Sequence, residues 1–223
     1  MLLKLVKKVT EARDTKSFYF DPSEKFVWES GQYAYLTIEK VTKQFTIASS
    51  PTEKFIQITT RIRKESRFKK LLDKVQIGST VDARGPFGSF ILDSSHLVSS
   101  YSPVFLAGGI GITPFRSMIK YNIDSKLNIP MYLIYSNSDA DFVFKNELDK
   151  WQKRNDFIKI HYHNSSISGH LDAQKLNNLI SVHFISSVFW VVGPPPFVNA
   201  MEDILEELKI PQDHVKTEKF IGY

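Results

Sequence analysis

From Leu3 to Arg84 apolar and polar residues alternate in short runs. A period of two predicts strands at Leu3–Ala12, Ser17–Asp21, Gln32–Glu39, Gln44–Ser49, Phe55–Arg63 and Thr80–Arg84. Turn-forming clusters separate them: Asp21-Pro22-Ser23, Ser30-Gly31, Ser50-Pro51 and Gly78-Ser79. One segment, Ser66 to Lys74, has helical spacing instead, with Phe68, Leu71 and Leu72 on its inner side. Short strands with regular punctuation predict a closed antiparallel barrel, because closure leaves no exposed edge.

At Pro103 the pattern changes. Apolar runs at Val104–Ala107, Met131–Tyr135, Ile158–His163 and Val188–Val192 alternate with helical segments: one from Thr113, then Asp141–Arg154, Asp172–Ile180 and Phe197–Leu208. A last strand is expected at His214–Phe220. This alternation predicts a doubly wound parallel sheet covered by helices, with ligands at the carboxyl ends of its strands. The Ser-rich stretch Ser94–Ser102 reads as a linker and divides the chain into 1–99 and 100–223. The fold class is therefore β followed by α/β.

At 223 residues, 42% of them hydrophobic, the chain can fill the cores that two such domains need. It contains no cysteine, which removes disulfides, zinc–thiolate sites, iron–sulfur clusters and cysteine nucleophiles, and fits a reducing, cytoplasmic setting. The N-terminus alternates and reads as a first strand, not a signal peptide, and no apolar run has membrane-spanning length. A formal net charge of +5 permits an acidic partner or a phosphorylated ligand, and the basic stretches lack the aromatic interleaving of a nucleic-acid surface. His161 and His163 share a strand face, but no third ligand accompanies them, so no metal site is expected.

Three stretches carry candidate chemistry. Gly108-Gly109-Ile110-Gly111 follows a buried strand, and Thr113-Pro114 reads as the cap and first position of a helix. Such a turn can cradle a phosphate on backbone N–H groups, or simply connect a strand to a helix. Lys43-Gln44-Phe45-Thr46 places a cation, an aromatic ring and a hydroxyl on one strand, suited to a phosphate, a planar ring and a heteroatom, though an ordinary edge strand would also explain them. Arg61 to Lys74 is densely basic, and Ser66 is placed to cap its helix; the run serves either a second phosphate or a solvated face.

In this order the stretches resemble the ferredoxin–NADP reductase superfamily, the flavin-plus-nicotinamide reductases. Lys43-Gln44-Phe45-Thr46 matches its Arg-x-Tyr-Ser/Thr motif, Gly85-Pro86-Phe87-Gly88 its Gly-Pro-x-Gly turn, Gly108 to Pro114 its Gly-Gly-x-Gly-x-Thr-Pro motif, and Val192 to Pro196 its Cys-Gly-Pro-Pro-Pro motif. The resemblance implies a six-stranded Greek-key flavin-binding barrel, 1–99, followed by a nicotinamide nucleotide domain, 100–223. It implies that Phe45 stacks near the isoalloxazine, with Gln44 in the same motif, and that Thr46 hydrogen-bonds flavin N5. Lys43 would meet the flavin phosphate with Thr60, Arg61 and Ser66. Gly108, Gly109, Gly111, Thr113 and Pro114 would hold the dinucleotide, while Gly193, Pro194 and Pro195 press the nicotinamide toward the flavin.

Four departures from the family pattern stand out. Lys43 stands where arginine is usual and lacks its bidentate fork, Phe45 where tyrosine is commoner, Val192 where many members carry cysteine, and the usual glycine before the Ser66 position is missing. Coenzyme choice falls to the loop holding Ser136, Asn137 and Asp139, which has no arginine and one acid; it points to NADH, with Lys145 as the group that could serve NADPH. Glu218 is a candidate proton relay and Tyr223 a candidate cover for the flavin, alongside Thr46 as catalytic residues. The cofactors implied are FAD, with FMN as the alternative, and NADH or NADPH. The function implied is passage of hydride from NAD(P)H to FAD and of electrons to a separate acceptor: a redox protein, such as an acidic one, a free flavin or a ferric chelate. The alternative is a non-catalytic flavin- and nucleotide-binding subunit of a larger complex.

Overall fold

The structure is a computed structural model, and it describes residues 1–92, 102–180 and 187–220. The predicted linker lies outside the described residues except for Ser102. The chain forms two compact units: Met1–Leu92 with Thr113–Lys126, and Asp93–Ile112 with Leu127–Tyr223.

Among the described residues, the first unit holds strands β1 (Leu2–Ala12), β2 (Thr15–Pro22), β3 (Tyr33–Ile38), β4 (Val41–Thr46), β5 (Ile56–Arg61) and β6 (Thr80–Phe87), and helix α1 (Arg67–Lys74). Their order is β4-β3-β6-β1-β2-β5, antiparallel throughout. An isolated bridge between Ile47 and Ile58, and an Ala48 N–H donating to the Gln57 carbonyl at 2.8 Å, link the two ends of that order. The expected Greek-key barrel is therefore present. Leu5, Phe18, Leu36 and Ile58 fill it, and Phe68 and Leu72 of α1 close one side.

The strand expected at Gln44–Ser49 begins instead at Val41 and ends at Thr46. The cause is a two-residue hairpin: Glu39 and Lys40 take φ of 47° and 65°, joining Ile38 directly to Val41. Two positive φ values match the right-handed twist of the flanking strands. Neither residue is a usual hairpin former, so the turn left no mark in the sequence.

The second unit holds β7 (Ser102–Gly108), β8 (Met131–Asn137), β9 (Ile158–Asn164), β10 (Ser187–Gly193) and β11 (Val215–Lys219), in the order β11-β10-β7-β8-β9 with every pairing parallel. The described helices of the chain's second half are α2 (Ile112–Asp124), α3 (Lys145–Arg154), the single turn α4 (Ser165–Ser168), α5 (Ala173–Ile180) and α6 (Pro195–Glu207). The chain winds outward from β7 in both directions, so the topological switch lies between β7 and β10, where such sheets bind ligands. From Thr113 onward α2 belongs to the first unit.

Three helix starts differ from expectation. Gly109–Gly111 form a 3-10 turn that runs straight into α2, so the chain is already helical at Ile112, and Thr113 lies inside the first turn instead of capping it. Phe144 adopts a left-handed conformation, and α3 begins only after it, at Lys145 instead of Asp141. Pro195 and Pro196 are the first residues of α6 with Pro194 as its cap, so these prolines open the helix instead of preceding it. The first helical turn has no use for their missing N–H groups.

Candidate flavin and nucleotide sites

Thr46 ends β4, is buried, and lies across the ladder from Tyr33. Gln44 lies across from Tyr35, and both Gln44 and Lys43 are exposed. Phe45 opposes Ala34 and is 9% exposed; its ring sits 5.3 Å from that of Phe68, within the barrel core. Its side chain is thus committed to packing against α1.

The basic residues converge beside this strand. Ser66 caps α1, its hydroxyl accepting from the Lys69 N–H at 3.3 Å. Lys69 is 6% exposed, and its pKa falls to about 8 through burial, with further lowering from Arg63, Lys43 and Arg61. Thr60 precedes Arg61 in β5 and is 1% exposed, and its hydroxyl has no hydrogen-bond partner among the described residues. Buried polar groups ordinarily find partners, and a gathering of cations disfavours its own charge. A diphosphate would answer both conditions: its oxygens could accept from the Thr60 hydroxyl and offset the charge of Lys43, Arg61, Arg63 and Lys69. The residues present therefore fit the phosphates of FAD.

An aromatic group on the barrel accompanies the motif. Tyr33 and Tyr35 meet edge to face at 5.6 Å, and Phe87 lies 5.6 Å from Tyr35 and 6.0 Å from Tyr33. Tyr33 covers Gly88 so closely that a Cβ there would approach its ring to 3.0 Å. Phe87 was legible in the sequence as part of the Gly85–Gly88 turn. The tyrosines and Lys69 were not; the readable signal was a Tyr-x-Tyr pair opposite Gln44 and Thr46.

In the second unit the carboxyl ends of β7 and β10 meet through glycine. A Cβ on Gly111 would lie 2.2 Å from the Val192 carbonyl oxygen, one on Gly108 2.5 Å from the Phe197 ring, and one on Gly193 2.8 Å from that ring. These glycines let the two turns touch. Gly109 differs: its φ is +54°, and the nearest group to a Cβ there is the Asn137 Oδ1 at 3.9 Å. It faces open space, where a backbone N–H can meet an anion. Thr113 and Pro114 are both buried. Ser136 and Asn137 end β8, and Ser136 pairs with Gly108. The Asn137 amide donates to the Asp139 carboxylate at 2.9 Å, and that carboxylate accepts from the Asp141 N–H at 2.9 Å. The loop after β8 is thus held by an acid, with no arginine in it.

Glu218 lies on β11 opposite Val192, and the Phe220 N–H donates to the Gly193 carbonyl at 2.9 Å. Its Oε2 is buried without a hydrogen-bond partner among the described residues, and burial raises its pKa to about 7. Pro194 and Pro195 follow Gly193 at the start of α6. Tyr223 lies outside the described residues. His163 spends its Nε2 on the Gly169 carbonyl at 2.8 Å, and among the described residues no three metal-ligating side chains gather. No described helix is long and apolar enough to cross a membrane.

Two family models match the chain: the oxidoreductase FAD-binding domain over residues 2–91 and the oxidoreductase NAD-binding domain over residues 105–203. The chain belongs to the ferredoxin–NADP reductase superfamily of FAD- and NAD(P)-binding oxidoreductases. It is 28% identical to the glycine betaine monooxygenase reductase subunit of Pseudomonas aeruginosa, covering 92% of this chain and 60% of that one. It is 26% identical to the propane 2-monooxygenase reductase component of Mycolicibacterium goodii, covering 94% and 64% respectively. The chain thus spans about 60% of the length of such relatives. Its fold matches that of ferredoxin–NADP+ reductase from Plasmodium falciparum, with a TM-score of 0.81 at 19% identity over 98% of this chain and 95% of that one.

Proposed function

We propose that this chain is a reductase that takes electrons from NADH and delivers them to a separate acceptor. FAD, when bound, accepts hydride at N5 and releases electrons singly, chemistry that no side chain supplies. The observation that carries the reading is the anion site on the barrel: the unpartnered Thr60 hydroxyl, with Lys69 buried among Arg61, Arg63 and Lys43. Ser66 and the start of α1 complete it. The Thr46 hydroxyl, close by on β4, is the group for flavin N5. Tyr33, Tyr35 and Phe87 form an aromatic group beside the motif.

Gly109 and the first turn of α2 receive the dinucleotide phosphates, Ser136 and Asn137 its ribose, and Gly193 to Pro195 the nicotinamide. Asp139 repels a 2′-phosphate, which favours NADH over NADPH. Glu218, protonated near neutrality, holds a proton beside the nicotinamide position. The relatives' names support an oxygenase component as acceptor. The basic balance of the chain supports an acidic surface on that partner, and the absence of cysteine a cytoplasmic setting.

A second reading, a flavin-binding subunit without turnover, draws on Lys43 in place of arginine, and on 30% identity over 162 residues to the sulfhydrogenase 2 gamma subunit of Pyrococcus furiosus. FAD titration of Arg61→Gln tests the anion site: the dissociation constant rises about tenfold, the usual worth of a charge-assisted phosphate contact. Unchanged affinity would remove the phosphate assignment.

A further inference from the structure

The segment that follows Thr46 is restrained beyond what a strand end needs. The Ile47 N–H donates to the Gln32 carbonyl at 2.9 Å and the Ala48 N–H to the Gln57 carbonyl at 2.8 Å. The remaining restraints come from side chains. Arg116, on the second turn of α2 and with a side chain 3% exposed, donates through Nη1 to the Ala48 carbonyl at 2.9 Å. The same guanidinium forks onto Glu53, Nη1 to Oε2 at 2.6 Å and Nη2 to Oε1 at 3.1 Å, and Glu53 Oε2 accepts from the Ser50 N–H at 2.7 Å. The Ser117 hydroxyl donates to the Ser49 carbonyl at 2.6 Å, and the Trp28 indole N–H reaches the same carbonyl at 3.2 Å.

A buried ion pair is a poor source of stability, since desolvating two charges offsets most of their attraction. Its return is geometric: a planar fork fixes both partners in position and angle. Here what it fixes is the backbone two to four residues beyond Thr46. Groups that meet a reacting atom tolerate little displacement, and they keep their place only when the residues behind them are locked.

We propose that Arg116 is a positioning residue: its clasp on Ala48 and Glu53 holds the Ile47–Ser50 segment, and through it the Thr46 hydroxyl, in register with flavin N5. The proposal rests on the flavin reading above.

The test uses the full FAD-loaded chain carrying Arg116→Gln, Arg116→Lys or Glu53→Gln. In Arg116→Gln, amide hydrogen exchange at Ala48 to Ser50 quickens about tenfold, and the visible flavin band shifts as the hydrogen bond at N5 loosens. Flavin reduction at saturating NADH slows about tenfold, with the KM for NADH within about twofold of wild type. Arg116→Lys keeps the charge without the fork and recovers part of each signal; Glu53→Gln keeps one acceptor and falls between. If Arg116→Gln does not fold, the other two variants decide by the same readouts. Variants that lose only thermal stability, with exchange, spectrum and rate as in wild type, overturn the positioning role alone. Wild-type chain that takes up no FAD overturns the flavin reading, and this proposal with it.

Discussion

Lys69 sits where burial disfavours an ammonium: it is 6% exposed, and Arg63, Lys43 and Arg61 lower its pKa further, to about 8. Two opposite pH responses follow. In the unliganded protein the folded state binds fewer protons than the unfolded state between about 8 and the ordinary lysine value of 10.5, so this group makes stability rise with pH across that window. FAD affinity runs the other way, weakening as pH climbs through about 8 and the cation is lost. Thermal unfolding and FAD titration of Lys69→Met against wild type read both, and the variant is flat in each. Glu218 has the reverse sign of stability dependence. Its folded pKa of about 7 lies above the ordinary glutamate value of 4.5, so its contribution is full below 4.5 and is lost as pH rises through 7. Glu218→Gln removes that slope from a melting-temperature profile taken between those limits.

At the scale of elements, the glycines of the Gly-rich turn divide into two kinds. Gly111→Ala drives a methyl to 2.2 Å from the Val192 carbonyl oxygen, and forcing the β7 and β10 turns apart costs about 1–3 kcal/mol along with nucleotide affinity. Gly109→Ala meets open space and bears only the left-handed backbone, about 1–2 kcal/mol. Chemical denaturation and NADH binding separate the two variants. The sequence marked this turn clearly because glycine and proline report on backbone directly. It hid the Glu39-Lys40 hairpin, because nothing in those side chains asks for positive φ and the strands on either side impose it. The start of α3 was hidden for a like reason: Asp139 binds the Asp141 N–H and Phe144 turns left-handed, tertiary choices that periodicity does not carry. Of the proposed anion site, Lys43, Thr60, Arg61 and Ser66 were readable as candidates from motif and charge. Lys69 was not, since a lysine in a basic helical run looks solvated until its burial is known. Phe45 looked available for stacking because its neighbours on the strand are polar; α1 claims it through Phe68.

Across the whole molecule, an antiparallel barrel precedes a doubly wound sheet whose switch point lies beside Gly109 and Gly193. The FAD-binding model covers residues 2–91 and the NAD-binding model residues 105–203, a division that suits electron transfer from a nicotinamide to a bound flavin. An acidic acceptor would be steered by the net charge of +5, so turnover with it falls as ionic strength rises, while direct reduction of the bound flavin by NADH changes less. Stopped-flow rates at two salt concentrations distinguish these steps. The central claim, that electrons enter from a nicotinamide, is met most directly by an anaerobic absorbance titration of the FAD-loaded chain with NADH and NADPH in parallel. NADH is expected to bleach the flavin band, faster than NADPH does. A chain that binds FAD and is bleached by neither would contradict it and leave the non-catalytic subunit in its place.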